Sequence, residues 1–137
     1  DPEFAAAHWR LSEGYLQKRM FDEAIGEIER AIELSGSSTQ MLARLAYAYA
    51  VSGKRCEALE VLNRLNESAE LRYVSPYDIA IIYAGLSEKE MALDWLERGY
   101  REHTLGLTFL KVEPAFNSLR DDPRLTNLLR RVGLSMW

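Results

Sequence analysis

The chain has 137 residues, a formal net charge of −4 and a hydrophobic content of 47%. This composition predicts one globular domain with enough apolar material for a continuous core, and the acidic balance argues against a nucleic-acid partner. No apolar run approaches the roughly 20 residues that cross a bilayer, so we expect no direct insertion into a membrane.

The N-terminal segment and the cysteine content bear on origin and compartment. Residues Asp1–Phe4 resemble the remnant of a cloning vector, and an alternative boundary extends that remnant to Ala7. We therefore expect the chain to be a piece cut from a longer protein. The single cysteine, Cys56, fits a reducing compartment. These features predict a cytoplasmic location, with the periplasm as the alternative.

From residue 5 onward the sequence repeats at a spacing of 34 residues, and five columns of similar residues run through three copies. The columns are Leu11, Leu45 and Ile79; Tyr15, Tyr49 and Tyr83; Ala24, Ala58 and Ala92; Ile25, Leu59 and Leu93; Ile28, Leu62 and Leu96. A period of about 20 to 50 residues is typical of stacked repeats, and this one suits a helix–turn–helix unit. We predict repeats at residues 5–38, 39–72 and 73–106, followed by a non-repeating tail at 107–137.

Each copy predicts two helices, with the small alanine column at the start of the second helix, where it lets two backbones approach closely. The apolar residues of that helix follow the three-and-four spacing of one helix face. Gly53 predicts a turn between the helices of the second copy. Ser75 and Pro76 predict an N-cap followed by proline at the first helical position. No segment alternates at period two for long enough to predict a strand, so we expect an all-α fold.

The tail is predicted to cap the stack of repeats. We expect a short helix at Pro114–Leu119 and a terminal helix at Pro123–Val132, with Asp122 as its N-cap and Gly133 ending it. A stack of repeats leaves its last apolar face uncovered, and a terminal helix with one apolar side covers it.

The copies resemble the tetratricopeptide repeat family. The resemblance is carried by Phe21–Ile25, which opens a second helix, and by the Leu-x-x-x-Tyr spacing of each first helix. The family's usual first-helix tryptophan and glycine are replaced, at His8, Leu42 and Pro76 and at Ser12, Ala46 and Ala80. The resemblance implies a right-handed superhelix of three helix–turn–helix repeats with a C-terminal capping helix.

Residues 73–134 also resemble the C-terminal ends of bacterial multidomain regulators, in which such repeats follow a signalling or DNA-binding domain. The matching segments are Tyr73–Tyr77, Ala92–Glu97, Leu110–Pro114 and Asp122–Leu125. This resemblance implies a sensory or docking module at the end of a longer signalling regulator.

The sequence contains no arrangement typical of an enzyme. It has no His-x-x-x-His pair, Cys-x-x-Cys pair, phosphate-binding loop or nucleophile elbow. His8 falls in a column of bulky core residues, where packing is expected, and His103 lies near a predicted helix C-terminus. Most carboxylates lie on outward helix faces, where surface ion pairs are expected. We predict a non-catalytic protein with no cofactor and no bound metal.

The family resemblance implies a partner-binding groove along the first helices of the repeats. The family's groove positions correspond to Trp9, Arg10, Glu13, Gln40, Ala43, Arg44, Tyr47, Val51, Val74, Tyr77, Asp78 and Ile81. Aromatic residues and arginine carry most interface energy, so Trp9, Tyr47 and Tyr77 are expected to anchor a partner. The alternative is that these rings pack on one another or on the domain's own tail.

We therefore expect a scaffold that docks a protein, a peptide or another domain of its parent in this groove. The alternative is self-association through the convex face or the cap, suggested by Met136 and Trp137. Relatives that grip C-terminal carboxylates use lysine and asparagine at positions that are here Trp9, Glu13, Arg44, Val74 and Asp78. Only Arg44 is basic, so we predict no chaperone-tail ligand. Trp95 is expected to be covered by residues Phe109–Phe116, with an exposed contact patch as the alternative.

Overall fold

The computed structural model describes residues 2–36, 38–69, 72–103, 107 and 110–136, with backbone only at residues 2 and 134–136. The α-helices are α1 (Pro2–Gln17), α2 (Phe21–Ser35), α3 (Thr39–Val51), α4 (Arg55–Ser68), α5 (Pro76–Gly85), α6 (Lys89–Arg101) and α7 (Pro123–Met136). A 3-10 helix spans Pro114–Leu119. No strand occurs within these ranges, which confirms the predicted all-helical fold class.

The chain divides into two compact units, Asp1–Val74 and Ser75–Trp137. In the first unit α1 packs on α2, α2 on α3, and α3 on α4. In the second unit α5 packs on α6 and on the 3-10 helix, and α6 packs on α7. The first two predicted repeats therefore share one unit, and the third predicted repeat, apart from Tyr73 and Val74, is joined to the tail in the other.

The turns inside the three helix pairs share one backbone geometry at the spacing of 34 residues. The residues with positive φ are Arg19 (60°), Gly53 (86°) and Ser87 (62°). Each following residue donates its backbone N–H to a tyrosine carbonyl: Met20 to Tyr15 at 2.8 Å, Lys54 to Tyr49 at 2.8 Å, and Glu88 to Tyr83 at 2.9 Å. These bonds satisfy carbonyls that the end of each first helix leaves open. The repeat in the sequence is thus also a repeat of backbone conformation.

Four of the five repeated columns supply the core of the helix pairs, with two exceptions among their residues, whereas the fifth column, Tyr15, Tyr49 and Tyr83, is partly exposed. Ala24, Ala58 and Ala92 are fully buried, as are Ile28, Leu62 and Leu96. Leu11 is 49% exposed although its equivalents Leu45 and Ile79 are buried, and Leu59 is 38% exposed although Ile25 and Leu93 are buried. The reason is the number of neighbours: α1 packs chiefly on α2, and α4 chiefly on α3, whereas α2 and α3 each pack on two helices.

Two of the predicted helix starts are confirmed by their caps. Ser75 Oγ accepts the backbone N–H of Tyr77 at 3.2 Å, and Pro76 is the first residue of α5. Asp122 Oδ1 accepts the backbone N–H of Arg124 at 2.8 Å, and α7 begins between them at Pro123. Each cap satisfies an N–H group that the helix itself cannot bond.

The predicted end of α7 is wrong, because the helix continues through Gly133 to Met136. Glycine ends a helix when it takes the left-handed conformation, whereas within a helix it costs only about 1 kcal/mol relative to alanine. One glycine is therefore a weak stop signal. The predicted short helix at Pro114–Leu119 is confirmed and is of the 3-10 type.

The tail keeps part of the 34-residue spacing. The helices α2, α4, α6 and α7 begin at Phe21, Arg55, Lys89 and Pro123, each 34 residues after the last. The core columns do not continue, since the equivalents of Ala92 and Leu96 are Thr126 and Arg130, which are both exposed. Among the side chains of α7 that the structure describes, the buried ones are instead Leu125, Leu128 and Val132. Helix α7 therefore packs through an apolar face of its own.

Candidate functional site

Six of the predicted groove residues lie on α1 and α3 of the first unit and present side chains to solvent. We call them the first-helix surface: Trp9, Arg10, Glu13, Arg44, Tyr47 and Val51. Arg10 and Glu13 are exposed, and the other four are partly exposed. On α3 the spacings of three, four and seven residues bring Arg44, Tyr47 and Val51 to one side, and on α1 Glu13 lies four residues from Trp9 and three from Arg10. Together they offer two aromatic rings, two guanidinium groups, one carboxylate and one aliphatic side chain.

Within this surface Arg44 lies over the ring of Tyr47, with its guanidinium carbon 6.0 Å from the ring centroid. The two residues are three positions apart on α3, a spacing at which side chains of a helix meet. A cation–π contact at such a site contributes about 0.5–1 kcal/mol. The pair therefore forms a defined element in which a flat aromatic ring and a positive charge lie side by side.

A polar contact between α1 and α2 lies next to Trp9. The His8 ring nitrogen Nδ1 contacts the Glu27 carboxylate, and the two side chains are 26% and 24% exposed. His8 was expected to pack in the core, and it instead makes a polar contact at a partly exposed position. This contact joins α1 to α2 at the residue that precedes Trp9.

Two predicted groove residues of the second unit are in the core, and their assignment as partner contacts is corrected here. Tyr77 is 6% exposed and Ile81 is 1% exposed. The Tyr77 ring packs edge to face on Phe116, with centroids 5.6 Å apart. The physical reason is that the 3-10 helix packs on α5, whose residues are nearly all apolar, so this helix is buried on more than one side. The contact of Tyr77 with Phe116 agrees with the alternative prediction, in which the aromatic rings pack on the domain's own tail.

The remaining predicted groove positions are divided between surface and core. Gln40 is exposed, and Val74 and Asp78 are partly exposed. Ala43 is 1% exposed and belongs to the core of the first unit. Ala43 and Tyr77 occupy the same repeat position as Trp9. That position is therefore buried in α3 and α5 but partly exposed in α1. The same difference separates Leu11, which is exposed on α1, from the buried Leu45 and Ile79.

A set of ion pairs between α6 and α7 was not anticipated from the sequence. Arg124 donates to Glu90 Oε2 and Asp94 Oδ1, both at 2.9 Å. Arg131 donates to Glu97 Oε1 at 2.6 Å. The hydrogen bond to Asp94 is the main reason that the pKa of Arg124 is raised above its ordinary value. Two of these pairs join residues 34 positions apart, which is the signal that could have revealed them. They attach α7 to α6.

Arginine side chains also organise the rest of the second unit. Arg120 donates to the carbonyl oxygens of Leu110 at 2.9 Å and Glu113 at 2.8 Å, which closes the segment before the 3-10 helix. The Arg98 guanidinium carbon lies 4.8 Å from the centroid of the Trp95 ring, which is partly exposed. Of the segment Phe109–Phe116, which was expected to cover Trp95, only Phe109 lies outside the described residues, and the partial exposure of Trp95 shows that it is not completely covered.

The phenol of Tyr49 lies in an acidic environment on the first unit. Burial raises its pKa above the ordinary value of 10.0, and the carboxylates of Glu29, Glu57 and Glu60 raise it further. Each of these effects disfavours the phenolate. Tyr49 therefore stays protonated through the neutral range.

No group of three or more His, Cys, Asp or Glu side chains is placed to hold a metal ion in the described part of the chain. A surface depression of about 360 Å³ lies at the start of α7, lined by Asp121, Pro123, Thr126, Asn127 and Arg130. Its lining contains neither histidine nor cysteine. Across the same described ranges, no helix has the length and apolar character needed to cross a membrane.

Comparisons with protein-family models, with curated proteins and with solved structures each found no match to this chain.

Proposed function

We propose that this chain is a non-catalytic scaffold of the tetratricopeptide-repeat type that docks a protein partner on its first-helix surface. The observation that carries the proposal is the recurrence of one helix–turn–helix geometry at 34-residue spacing. Stacked repeats of this kind present extended surfaces on which ligands bind. In this proposal the three helix pairs form a right-handed superhelix, and α7 is its cap.

The composition of the first-helix surface supports the choice of site. Protein interfaces are enriched in tryptophan, tyrosine and arginine, and these residue types supply most energetically dominant contacts. Trp9, Arg44 and Tyr47 are of these types and are partly exposed in the first unit. In this proposal the Arg44–Tyr47 contact restricts both side chains before a partner arrives, which reduces the conformational entropy lost on binding.

The chemistry of this surface also narrows the partner. Arg10 and Glu13 place opposite charges beside Trp9, and Val51 adds an aliphatic contact on α3. Such a mixed surface suits an amphipathic helix or an extended peptide with a few aliphatic anchors. It does not suit an acidic chaperone tail, since Glu13 would repel a terminal carboxylate. The partner is then a separate protein or another domain of a parent signalling regulator, in the cytoplasm.

An affinity capture with matched variants tests the proposal. The wild-type chain is immobilised and exposed to an extract of the source organism, beside an Arg44→Ala/Tyr47→Ala variant and a Trp95→Ala/Arg98→Ala variant. Both variants remove an arginine–aromatic pair spaced three residues apart on a helix, one on α3 and one on α6. The proposal expects a protein that wild type and the α6 variant retain and the α3 variant loses.

Helicity and thermal unfolding of all three chains are measured first, so that a loss of capture is not a loss of folding. Retention of the same proteins by all three chains would contradict the assignment of the site. Loss of capture by both variants alike would also contradict it, since the effect would not be specific to α3.

Self-association is the alternative function. It was predicted from Met136 and Trp137, whose side chains lie outside the described residues. Light scattering over a range of protein concentrations tests it directly, because a dimer of moderate affinity shows a mass that rises with concentration. A constant monomer mass would remove this alternative.

A further inference from the structure

We draw no further inference here: the strongest candidate, the side of α1 on which Ala7, Leu11 and Gly14 are exposed, is an unpartnered helix face, and nothing in the structure shows what covers it.

Discussion

The rings of Tyr77 and Phe116 meet edge to face, with centroids 5.6 Å apart and an interplanar angle of 69°. Phe116 is fully buried and Tyr77 nearly so. An aromatic residue selected from the sequence as a partner contact is therefore part of the core of the second unit. This contact restricts the proposed docking site to the first unit, where Trp9 and Tyr47 are partly exposed.

Replacing Phe116 tests this contact. We expect Phe116→Ala to lower the free energy of unfolding by about 3–5 kcal/mol, since it deletes a fully buried aromatic side chain and leaves a cavity against Tyr77. Denaturant unfolding followed by circular dichroism measures the change. The neighbouring exposed residue provides the control, and Asn117→Ala should change the free energy by no more than about 0.5 kcal/mol. Equal effects of the two substitutions would mean that the 3-10 helix does not pack on α5.

One substitution at two glycines should give opposite results. Gly53 has φ of 86°, and a Cβ built on it meets nothing within 4 Å, so the cost of Gly53→Ala comes from the backbone alone. We expect a loss of about 1 kcal/mol in the free energy of unfolding, because the left-handed conformation is strained for alanine. Gly26 lies within α2 and also has open space around it. Gly26→Ala should raise the free energy of unfolding by about 0.5–1 kcal/mol.

Thermal unfolding of both glycine variants beside the wild type measures these changes. If Gly53→Ala were as stable as Gly26→Ala, the result would contradict the left-handed conformation of Gly53 in the turn between α3 and α4. The comparison isolates the effect of backbone conformation, because neither added methyl group meets a neighbouring side chain.

The attachment of α7 to α6 should depend more on apolar packing than on ion pairs. Arg124 and its partners Glu90 and Asp94 are substantially exposed, so we expect Arg124→Gln to cost less than about 1 kcal/mol and less again at high salt. Leu128 is fully buried, and Leu128→Ala should cost about 2–5 kcal/mol at any salt concentration. Denaturant unfolding at low and high ionic strength separates the two. A larger loss of unfolding free energy for Arg124→Gln than for Leu128→Ala would contradict the expectation that apolar packing contributes more than the ion pairs.

The raised pKa of Tyr49 predicts a change of stability in alkaline solution. The folded chain holds the phenol proton more tightly than the unfolded chain, whose tyrosines titrate near the ordinary value of 10.0. This contribution to stability is complete below that value and is lost as pH rises through the folded pKa. The wild type should therefore lose stability between the two pKa values more steeply than Tyr49→Phe, in denaturant unfolding at a series of pH values. Identical pH profiles would contradict the raised pKa.

Local signals in the sequence predicted much of the fold. The 34-residue columns located the small residues between paired helices, such as Ala24, and Ser75 and Asp122 located two helix starts by their capping chemistry. The helix starts could be predicted because capping depends on a few neighbouring residues. The small buried residues could be predicted because they recur at a fixed spacing. The prediction that Gly133 ends α7 was wrong because a single glycine is compatible with both ending and continuing a helix.

The candidate site was harder to predict because exposure depends on which elements pack on a given helix. Trp9, Ala43 and Tyr77 share one repeat position, yet only Trp9 is partly open, since α3 and α5 each pack on two elements. The sequence pattern is nearly the same at all three positions. The ion pairs of α7 were missed although two of them, Arg124 with Glu90 and Arg131 with Glu97, follow the 34-residue spacing, because the tail was predicted to be non-repeating.

Site-specific photocrosslinking in living cells tests the central proposal most directly. A photoreactive phenylalanine analogue is placed at Tyr47 on the first-helix surface or, as a control, at Trp95 on α6. The account predicts a covalent adduct with a partner protein from position 47 and no such adduct from position 95. Absence of an adduct at position 47, or the same adduct from both positions, would contradict docking on the first-helix surface.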